Sequence, residues 1–408
     1  MVHVKQRIMK INYKFSLAFL AILFLAYACE PRDEIIGPLS PSEEEGRLDS
    51  IPYNPVAYVF PVINGLPAME VPASNPLTVA GVRLGRFLFY EKLLSIDSSI
   101  SCGSCHQQDK AFTDGERVGV GVGGTLGTRN SMMLINVGYN WKQNSANNFL
   151  WDGHFRDLED QVLAPVEHPL EMMNSWDIVE TRLQNHPHYP RLFREAFGIT
   201  YTDEITRFLA AKALAQFLRT LNSAYSKYDS SEFIAFNNLS DAAQRGMDLF
   251  LGELGPNFNG RTGECAHCHS FTRNRALFAR NNFSNNAIDS VGSFSDFSDN
   301  GLGGITGNAP DNGRFREVSL RNIALTAPYM HDGRFATLEE VLDHYVEHSG
   351  TYRGPNVASD IAAATTLPTL TQNEKQDIIA FLNALTDTSY FNKTEWSDPF
   401  LMADPWAQ

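Results

Sequence analysis

Two short stretches of the chain combine residue types that attach a metal cofactor, "CGSCH" at residues 102–106 and "CAHCH" at residues 265–269. In each stretch two cysteines stand three positions apart and a histidine follows directly. Thiols at this spacing can both form thioethers with the vinyl groups of a haem, and the adjacent imidazole then reaches the iron as proximal ligand. The motifs therefore predict two covalent c-type haems, held by Cys102, Cys105, His106, Cys265, Cys268 and His269.

Two other uses of paired cysteines explain these motifs less well. Both pairs could share one zinc ion, but ribbon-type zinc sites place their pairs much closer than the 160 residues that separate Cys105 from Cys265. A redox-active C-x-x-C pair does not require the histidine that follows in both copies.

A longer phrase also occurs twice, as "FLWDGHFRDLEDQ" from Phe149 and as "PYMHDGRFATLEEV" from Pro328. Alignment of the two phrases sets Met330 opposite Leu150. A methionine sulfur can fill the sixth position of a haem iron and raises its potential, whereas leucine cannot bind iron. We predict that Met330, 61 residues beyond His269, is the distal ligand of the second haem. A methionine that only fills a gap in the core is the alternative.

The first haem is predicted to keep its sixth position open. No histidine stands between His106 and His154, and His154 lies inside the repeated phrase, where a structural role is expected. Met132 and Met133 are the remaining candidates for a sixth ligand, without support from the repeat. One open and one closed haem indicate an enzyme whose reactive centre receives electrons from the other centre.

Polar residues after the first phrase fit a reactive centre. Glu171, in "HPLEMM", could move a proton between the two oxygens of a peroxide, and Gln161 could hold a peroxide oxygen by a hydrogen bond. The second phrase has Val341 in place of Gln161. Trp151 could carry an electron between the haems. The ordinary alternatives are a solvated helix face for the two polar residues and a core position for the tryptophan.

The elements that must position these residues repeat as well. A predicted helix precedes each C-x-x-C-H motif and contains a glycine three residues before a Leu-Phe pair, Gly85 in the first copy and Gly246 in the second. Capping boxes begin two further helices at Thr337 and Thr371, and apolar residues at i, i+4 spacing predict a helix over residues 203–221. Two copies of one unit indicate two similar domains.

Little of the chain alternates like a half-buried strand, and the Gly- and Asn-rich stretch 281–313 is predicted to be a long loop. The sequence therefore predicts a mostly α protein with long loops, in which the cofactors supply much of the core.

The N-terminus predicts export. Four basic residues precede the apolar run "FSLAFLAILFLAYA", and Cys29 follows small residues. This order resembles a bacterial lipoprotein signal, residues 1–28, whose cysteine is lipidated; an ordinary signal peptide or a signal anchor is the alternative. Residues 29–75 are predicted to be a tether or irregular arm.

The charge of the chain excludes one class of partner. The net charge is −14, and removal of residues 1–28, with four positive charges and no negative ones, would leave a mature chain near −18. Nucleic-acid binding requires a basic face, which this composition does not favour. No other apolar run is long enough to span a bilayer, so membrane association is predicted only through the lipid anchor.

These residues together resemble the bacterial di-haem cytochrome c peroxidase family, which includes the MauG-like enzymes. The resemblance covers about residues 75–390 and rests on "ISCGSCH", "GTRNSMMLINVGYN", "FLWDGH", "LEDQ", "HPLEM", "GECAHCH" and "VSLRNIALTAPYMHDGRFATLEEVLDHY". It implies two cytochrome c-like helical domains with long loops, one c-type haem each. Residues 76–230 would carry a low-potential peroxidatic haem and residues 231–395 a high-potential electron-transfer haem, followed by a tail at residues 396–408.

The resemblance also implies roles for single residues. It places Glu171 and Gln161 in the peroxide pocket and Trp151 between the haems. It further implies a Ca²⁺ ion between the domains, with Asn130 as one ligand. Backbone oxygens around Asp311 and Gly313 would complete the calcium site.

Three features distinguish members of the family. Many members carry a histidine in the loop after the first haem, which blocks that haem until the second is reduced; here the loop reads "GERVGVGVGGTLGTRN". The chain is therefore similar to members whose peroxidatic haem is open at rest. Members that oxidise a protein substrate have tyrosine where Met330 stands. His154 replaces a usual arginine, which puts a haem propionate contact at this position in doubt.

The leading hypothesis is a cytochrome c peroxidase that reduces H2O2 to water on the periplasmic side of the cell envelope. Its electrons would come singly from a small cytochrome c or a cupredoxin, a small copper protein. The alternatives are a MauG-like oxidase acting on a protein or small organic substrate and a non-enzymatic di-haem electron carrier. The family is often a homodimer.

Overall fold

The structure is a computed structural model that describes residues 46–140, 149–232, 236–252, 263, 265–270, 277–289, 291–348, 354–358, 370–403 and 405–407. The part of the chain from Arg47 onward forms one compact unit. The predicted signal peptide and Cys29 lie outside the described residues, as does the start of the predicted arm. Among the described residues, no helix combines the length and the apolar character needed to cross a bilayer.

Most regular structure in the described residues is α-helix, in these segments: α1 Val79–Tyr90, α2 Cys102–Cys105, α3 Leu158–Gln161, α4 Ala164–Glu167, α5 Trp176–Gln184, α6 Tyr189–Phe197, α7 Arg207–Leu218, α8 Lys227–Glu232, α9 Asp241–Leu251, α10 Leu302–Thr306, α11 Leu338–His348 and α12 Gln372–Ala384. Short 3-10 helices link them, at Lys92–Leu94, Gln108–Lys110, Val122–Gly124, Val137–Asn140, Thr202–Glu204, Cys265–His267, Phe294–Asp296, Ala309–Asp311, Ile323–Leu325, Pro399–Leu401 and Pro405–Ala407. Two strands, β1 Phe283–Ser284 and β2 Phe315–Arg316, pair antiparallel, with Phe283 opposite Arg316. The prediction of a mostly helical fold is confirmed.

The first half of the chain is organised by the contact between α1 and α7. The side chain of Thr78 caps α1 by accepting a hydrogen bond from the N–H of Gly81 at 2.9 Å. Gly85 then meets α7 so closely that a Cβ atom there would lie 1.9 Å from the carbonyl oxygen of Ala213. Only glycine allows this approach of two helix backbones.

The second half repeats the arrangement with α9 and α12. A Cβ atom at Gly246 would lie 1.8 Å from the carbonyl oxygen of Asp377 in α12. The predicted capping box begins α12, because the Thr371 hydroxyl accepts from the N–H of Glu374 and the Glu374 carboxylate accepts from the N–H of Thr371 at 2.7 Å. The two predicted glycines therefore hold equivalent positions in two helix pairs.

Two hydrophobic clusters surround these helix pairs. The first contains buried side chains of α1, α5, α6 and α7, and the second contains those of α9 and α12. Tyr390 and Trp396, near the end of the chain, are buried in the first cluster, and the Tyr90 hydroxyl donates to the carbonyl oxygen of Trp396 at 2.7 Å. The predicted domain limits at residues 76–230 and 231–395 remain a prediction.

The boundaries of some elements differ from those that the pattern predicts. The helix predicted over residues 203–221 is α7, which begins at Arg207 after a separate 3-10 turn. The stretch 281–313, predicted to be a long loop, contains β1 and the short helix α10. Gly301 precedes α10 at φ 52° and Gly307 follows it at φ 67°. Glycine adopts such positive φ values without strain, so these two residues can begin and end the helix.

Substitution of Gly85 by alanine should destabilise the protein by about 1–3 kcal/mol, because the added methyl group meets the backbone of α7. The matched control is Gly304→Ala in α10, where the nearest atom to a Cβ would be the Cβ of Asn300 at 3.7 Å, and a change within about 0.5 kcal/mol is expected. Chemical denaturation measures both. Equal stability of the two variants would contradict the close helix contact.

Candidate functional site

The first C-x-x-C-H motif is held on one turn of helix. In α2 the side chain of Ser104 accepts from the N–H of Ser101 at 2.9 Å, which fixes the start of the turn that carries Cys102 and Cys105. Gly103, between the two cysteines, lies against the ring of Tyr90 in α1, where a Cβ atom would meet the ring at 2.5 Å. The motif is therefore packed directly on the helix pair of its half.

The ring of His106 is oriented by backbone carbonyls. Its Nδ1 lies 2.7 Å from the carbonyl oxygen of Phe112, and the carbonyl of Met132 also bonds the ring. Because a carbonyl only accepts, Nδ1 must donate, and Nε2 is left as a neutral metal ligand. Burial lowers the pKa of His106, which favours the same neutral form.

Backbone carbonyls orient the histidine of the second motif in the same way. The Nδ1 of His269 lies 3.2 Å from the carbonyl oxygen of Phe278 and 3.1 Å from that of Val318, so Nε2 is again free to bind a metal. Burial lowers the pKa of His269 as well. Both motifs thus present a neutral imidazole beside two thiols, which is the donor set that a c-type haem requires.

The zinc and redox alternatives find no support in the geometry. The four cysteine sulfurs form no disulfide. No group of three or more His, Cys, Asp or Glu side chains is placed to hold a metal ion in the described part of the chain. Burial raises the pKa of the Cys102 thiol to about 12 and that of Cys105 to about 11, far from the thiolate character of a redox-active pair.

A cavity of about 280 Å³ lies at the second motif. His269 and Met330, from distant parts of the sequence, both line it, together with Cys265 and Cys268. Most of the other lining side chains are apolar. The structure therefore brings the predicted proximal and distal ligands of the second haem to one apolar cavity, which fits a haem.

The two repeated phrases form the same backbone turn. Leu150 and Met330 both adopt the left-handed conformation, at φ 67° and φ 74°, and each is followed three residues later by a glycine of positive φ. A bridge closes each turn, between Phe149 and Phe155 in the first copy and between Tyr329 and Phe335 in the second. Such φ values are uncommon for residues with side chains, so their recurrence shows that Leu150 and Met330 are structurally equivalent.

Met132 and Met133, the other methionines considered as sixth ligands of the first haem, stay candidates by prediction only. Met132 and Met133 both line the cavity of the second motif.

Glu171 and Gln161 come from neighbouring short elements. Gln161 ends α3, and Glu171 lies in the turn after α4, where its N–H donates to the carbonyl of His168 at 3.0 Å. The carboxylate of Glu171 also raises the pKa values of Cys102 and Cys105, which places its charge near the first motif. Among the described residues no hydrogen bond joins the side chains of Gln161 and Glu171.

The protonation of Glu171 is set by two opposing effects. Although half of the side chain is exposed, desolvation of the carboxyl by the surrounding protein raises its pKa above the ordinary 4.5. The imidazole of His168, 3.4 Å from the Glu171 carboxylate, lowers the same pKa. A carboxyl with a raised pKa is suited to accept and return a proton near neutral pH.

A glycine-rich hairpin supports Glu171 and was missed by the sequence analysis. The N–H of Val122 donates to the carbonyl of Glu171 at 2.9 Å, and the hydroxyl of Thr125 donates to that of Leu170 at 3.2 Å. A Cβ atom at Gly121 would lie 2.1 Å from the Leu170 carbonyl oxygen. The run "GVGVGG" was the available signal, because repeated glycines mark close backbone approach.

Trp151 lies at the junction of the two halves. Its indole N–H donates to the carbonyl of Asn130 at 2.9 Å, and the N–H of Asn130 donates to the carbonyl of His331 at 2.8 Å. Trp151 also lines the cavity of the second motif. Hydrogen bonds therefore connect the tryptophan to the residue that follows Met330.

Arg316 is a second contact at this junction that sequence reasoning missed. Its N–H donates to the carbonyl of Trp151 at 2.9 Å and its Nε to that of Leu150 at 3.1 Å. Burial lowers its pKa to about 10. Arg316 thus ties the turn of the first phrase to strand β2 of the second half.

The residues predicted to bind calcium each make hydrogen bonds of their own. The side chain of Asn130 donates to the carbonyl of Glu116 at 2.9 Å. Asp311 bonds instead with its own loop, including the guanidinium of Arg314 at 2.8 Å, and the N–H of Gly313 donates to the carbonyl of Asn300. Within the described ranges no hydrogen bond joins Asn130 to Asp311 or Gly313, and the calcium site stays a prediction.

Comparison with known proteins places this site in a family. A family model described as di-haem cytochrome c peroxidase matches residues 79–233. The methylamine utilization protein MauG of Methylorubrum extorquens is 32% identical over 326 residues, which cover 77% of this chain and 80% of that protein. The cytochrome-c peroxidase IdrP1 of Pseudomonas sp. is 30% identical over 376 residues, 86% of this chain and 89% of that protein.

A solved structure shows the same fold. The crystal structure of a MauG-like protein associated with microbial copper homeostasis matches with a TM-score of 0.69 at 35% identity, covering 84% of this chain and 100% of that one. The chain belongs to the di-haem cytochrome c peroxidase family. The predictions of this family, of two haems and of an oxidoreductase of the peroxidase class are confirmed at the level of the family.

Replacement of Gly121 by alanine should lower the rate of peroxide turnover about 10-fold to 100-fold, because the methyl group would push the hairpin away from the backbone of Glu171. Steady-state kinetics measures this effect. Gly119→Ala is the control, since a Cβ atom there would meet only the Ser131 hydroxyl at 3.4 Å. Similar rates for the two variants would show that the hairpin does not position Glu171.

Proposed function

We propose that the protein reduces H2O2 to two waters, with two protons and with two electrons that a small c-type cytochrome or a cupredoxin delivers singly. The first half, residues 76–230, would hold the peroxidatic haem, and residues 231–395 would hold the electron-transfer haem. The residues that would hold the two haems are Cys102, Cys105 and His106 for the first and Cys265, Cys268, His269 and Met330 for the second.

One observation supports different roles for the two haems. Leu150 and Met330 occupy the same position of the same left-handed turn, but only the second residue has a sulfur. The turn therefore offers a sixth ligand to one haem and a hydrocarbon to the other. An open iron reacts with small molecules, whereas a His/Met iron is suited to exchange electrons.

When bound, each haem would supply an iron that changes its charge by one electron. The chain's own part is to bind peroxide and to move its protons. The Glu171 carboxylate would take a proton from one oxygen of H2O2 and return it to the other oxygen, which leaves as water when the O–O bond breaks. The remaining oxygen, with the two delivered electrons and two protons, would form the second water. The amide of Gln161 would hold an oxygen by donating a hydrogen bond.

The hydrogen-bonded junction supports electron delivery through Trp151. From Met330 the covalent chain reaches the carbonyl of His331, and hydrogen bonds continue through Asn130 to the indole. The acceptors in this series are backbone carbonyls, and the donors are the N–H of Asn130 and the indole of Trp151.

Further parts of the proposal concern location and assembly. Cys29 would carry the lipid that anchors the protein on the periplasmic side of the cell envelope. Calcium would bind near Asn130, whose side-chain oxygen makes no hydrogen bond among the described residues. The protein would form a homodimer, as members of the family often do.

A MauG-like oxidase is the second candidate, favoured by the 32% identity to a MauG protein. Met330 argues against it, since the resemblance implies tyrosine at this position in members that oxidise a protein. Turnover of reduced cytochrome c with peroxide distinguishes the two, because the oxidase would show little of it.

The oxidised protein should show one high-spin and one low-spin ferric haem by EPR spectroscopy. Leu150→Met should convert the first haem to low spin and lower peroxide turnover at least about tenfold, because it gives the first turn the sulfur of the second. Leu150→Ala, which adds no ligand, should leave the first haem high spin. Two low-spin haems in the unaltered protein would refute the open site and favour an electron carrier.

Glu171→Gln should lower peroxide turnover by about 10²–10⁴-fold while both haem spectra stay unchanged. In the unaltered protein kcat/KM should fall as the pH drops through the pKa of Glu171, which lies above its ordinary 4.5, because only the ionised carboxylate accepts a proton. In Glu171→Gln, kcat/KM should no longer fall over this pH range.

The matched control for this experiment is Glu167→Gln, an exposed carboxylate four residues earlier in the same segment. It should keep both the rate and the pH profile. Unchanged turnover in Glu171→Gln would remove Glu171 from the mechanism.

A further inference from the structure

The sulfur of Met330 has a hydrogen-bond donor. The side-chain Nδ2 of Asn286 lies 3.4 Å from Met330 Sδ, and both residues line the cavity of the second motif. A thioether sulfur can only accept, so the amide must present its NH2 group and not its oxygen to the sulfur. The contact is within the longer distance that sulfur acceptors allow.

The backbone around Asn286 is fixed independently of this contact. The Nε2 of His344 donates to the backbone carbonyl of Asn286 at 3.0 Å. The preceding Asn285 is buried, accepts from the N–H of Ala287 at 2.9 Å and donates to the side chain of Asn356 at 3.0 Å. The Asn286 amide therefore projects from a backbone segment that these three hydrogen bonds hold in place.

The side chain of Asn286 is also restrained within the cavity. The hydroxyl of Tyr345, in α11, forms a hydrogen bond with it. A side chain held by an aromatic hydroxyl and aimed at a sulfur loses little freedom when the sulfur binds iron, because its conformation is already set.

We propose that Asn286 is a positioning residue that orients the sulfur of Met330 toward the second haem and raises the reduction potential of that haem. This inference rests on the proposed role of Met330 as distal ligand. A hydrogen bond to the sulfur withdraws electron density from it, so the sulfur donates less to the iron. Weaker donation destabilises the ferric iron more than the ferrous iron, and the reduction potential rises. The first phrase has Leu150 at this position, so no equivalent contact to a ligand exists there.

The test is a spectroelectrochemical titration of the holoprotein. Asn286→Leu keeps the size of the side chain and removes the donor. The ferrous-to-ferric ratio of the second haem at a fixed potential should fall at least about threefold, which is about 28 mV at 59 mV per tenfold for one electron. The potential of the first haem should stay unchanged.

Asn286→Asp provides a second variant of the same shape, which guards against poor folding of the leucine variant. Its carboxylate cannot donate and adds negative charge, so the fall should exceed that of Asn286→Leu. Asn383→Leu is the control, because Asn383 is an exposed asparagine of α12 that does not line this cavity. It should leave the potential unchanged.

The methionine-to-iron charge-transfer band distinguishes a wrong role for Asn286 from a wrong assignment of Met330 as ligand. A band in the unaltered protein with an unmoved potential in both Asn286 variants overturns the role of Asn286 and leaves Met330 as ligand. A missing band in the unaltered protein overturns the assignment of Met330 and, with it, the proposed function of the second haem. A retained band with a lowered potential, or a band weakened only in the Asn286 variants, supports the inference.

Discussion

Two helix contacts at glycine set the frame of this protein. Gly85 on Ala213 and Gly246 on Asp377 let helix backbones touch, and each contact lies just before a C-x-x-C-H motif in the sequence. The first motif packs on Tyr90 of its helix pair through Gly103. The first helix pair therefore supplies the surface on which the turn that carries the first motif is packed.

Different chemistry arises on this duplicated frame from a few side chains. The same left-handed turn presents leucine in one half and methionine in the other. Each half then adds its own support: the hairpin through Val122 holds the backbone of Glu171, and the amide of Asn286 meets the sulfur of Met330. Neither support requires a change in the helix pairs, so reactivity could diverge while the fold was kept.

The junction between the halves joins the two sites through backbone groups. Trp151 is bonded to Asn130 through its indole and to Arg316 through its carbonyl, and Asn130 is bonded to the residue after Met330. Two of these three bonds join backbone groups only, and the third is donated by the Trp151 indole. The buried guanidinium of Arg316, within this junction, further ties the first turn to β2.

The amino-acid sequence determined the motifs, the repeat, the helical class and the family, because spacing along the chain reports local geometry: thiols on one turn, glycine at a helix contact, a capping box at Thr371. Only the tertiary structure decided which groups approach from a distance. The hairpin at Gly121, the junction at Arg316 and the amide of Asn286 depend on how loops fold against one another, and loop packing has no period in the sequence. The calcium site at Asn130 and Asp311 comes from a resemblance alone and stays a prediction.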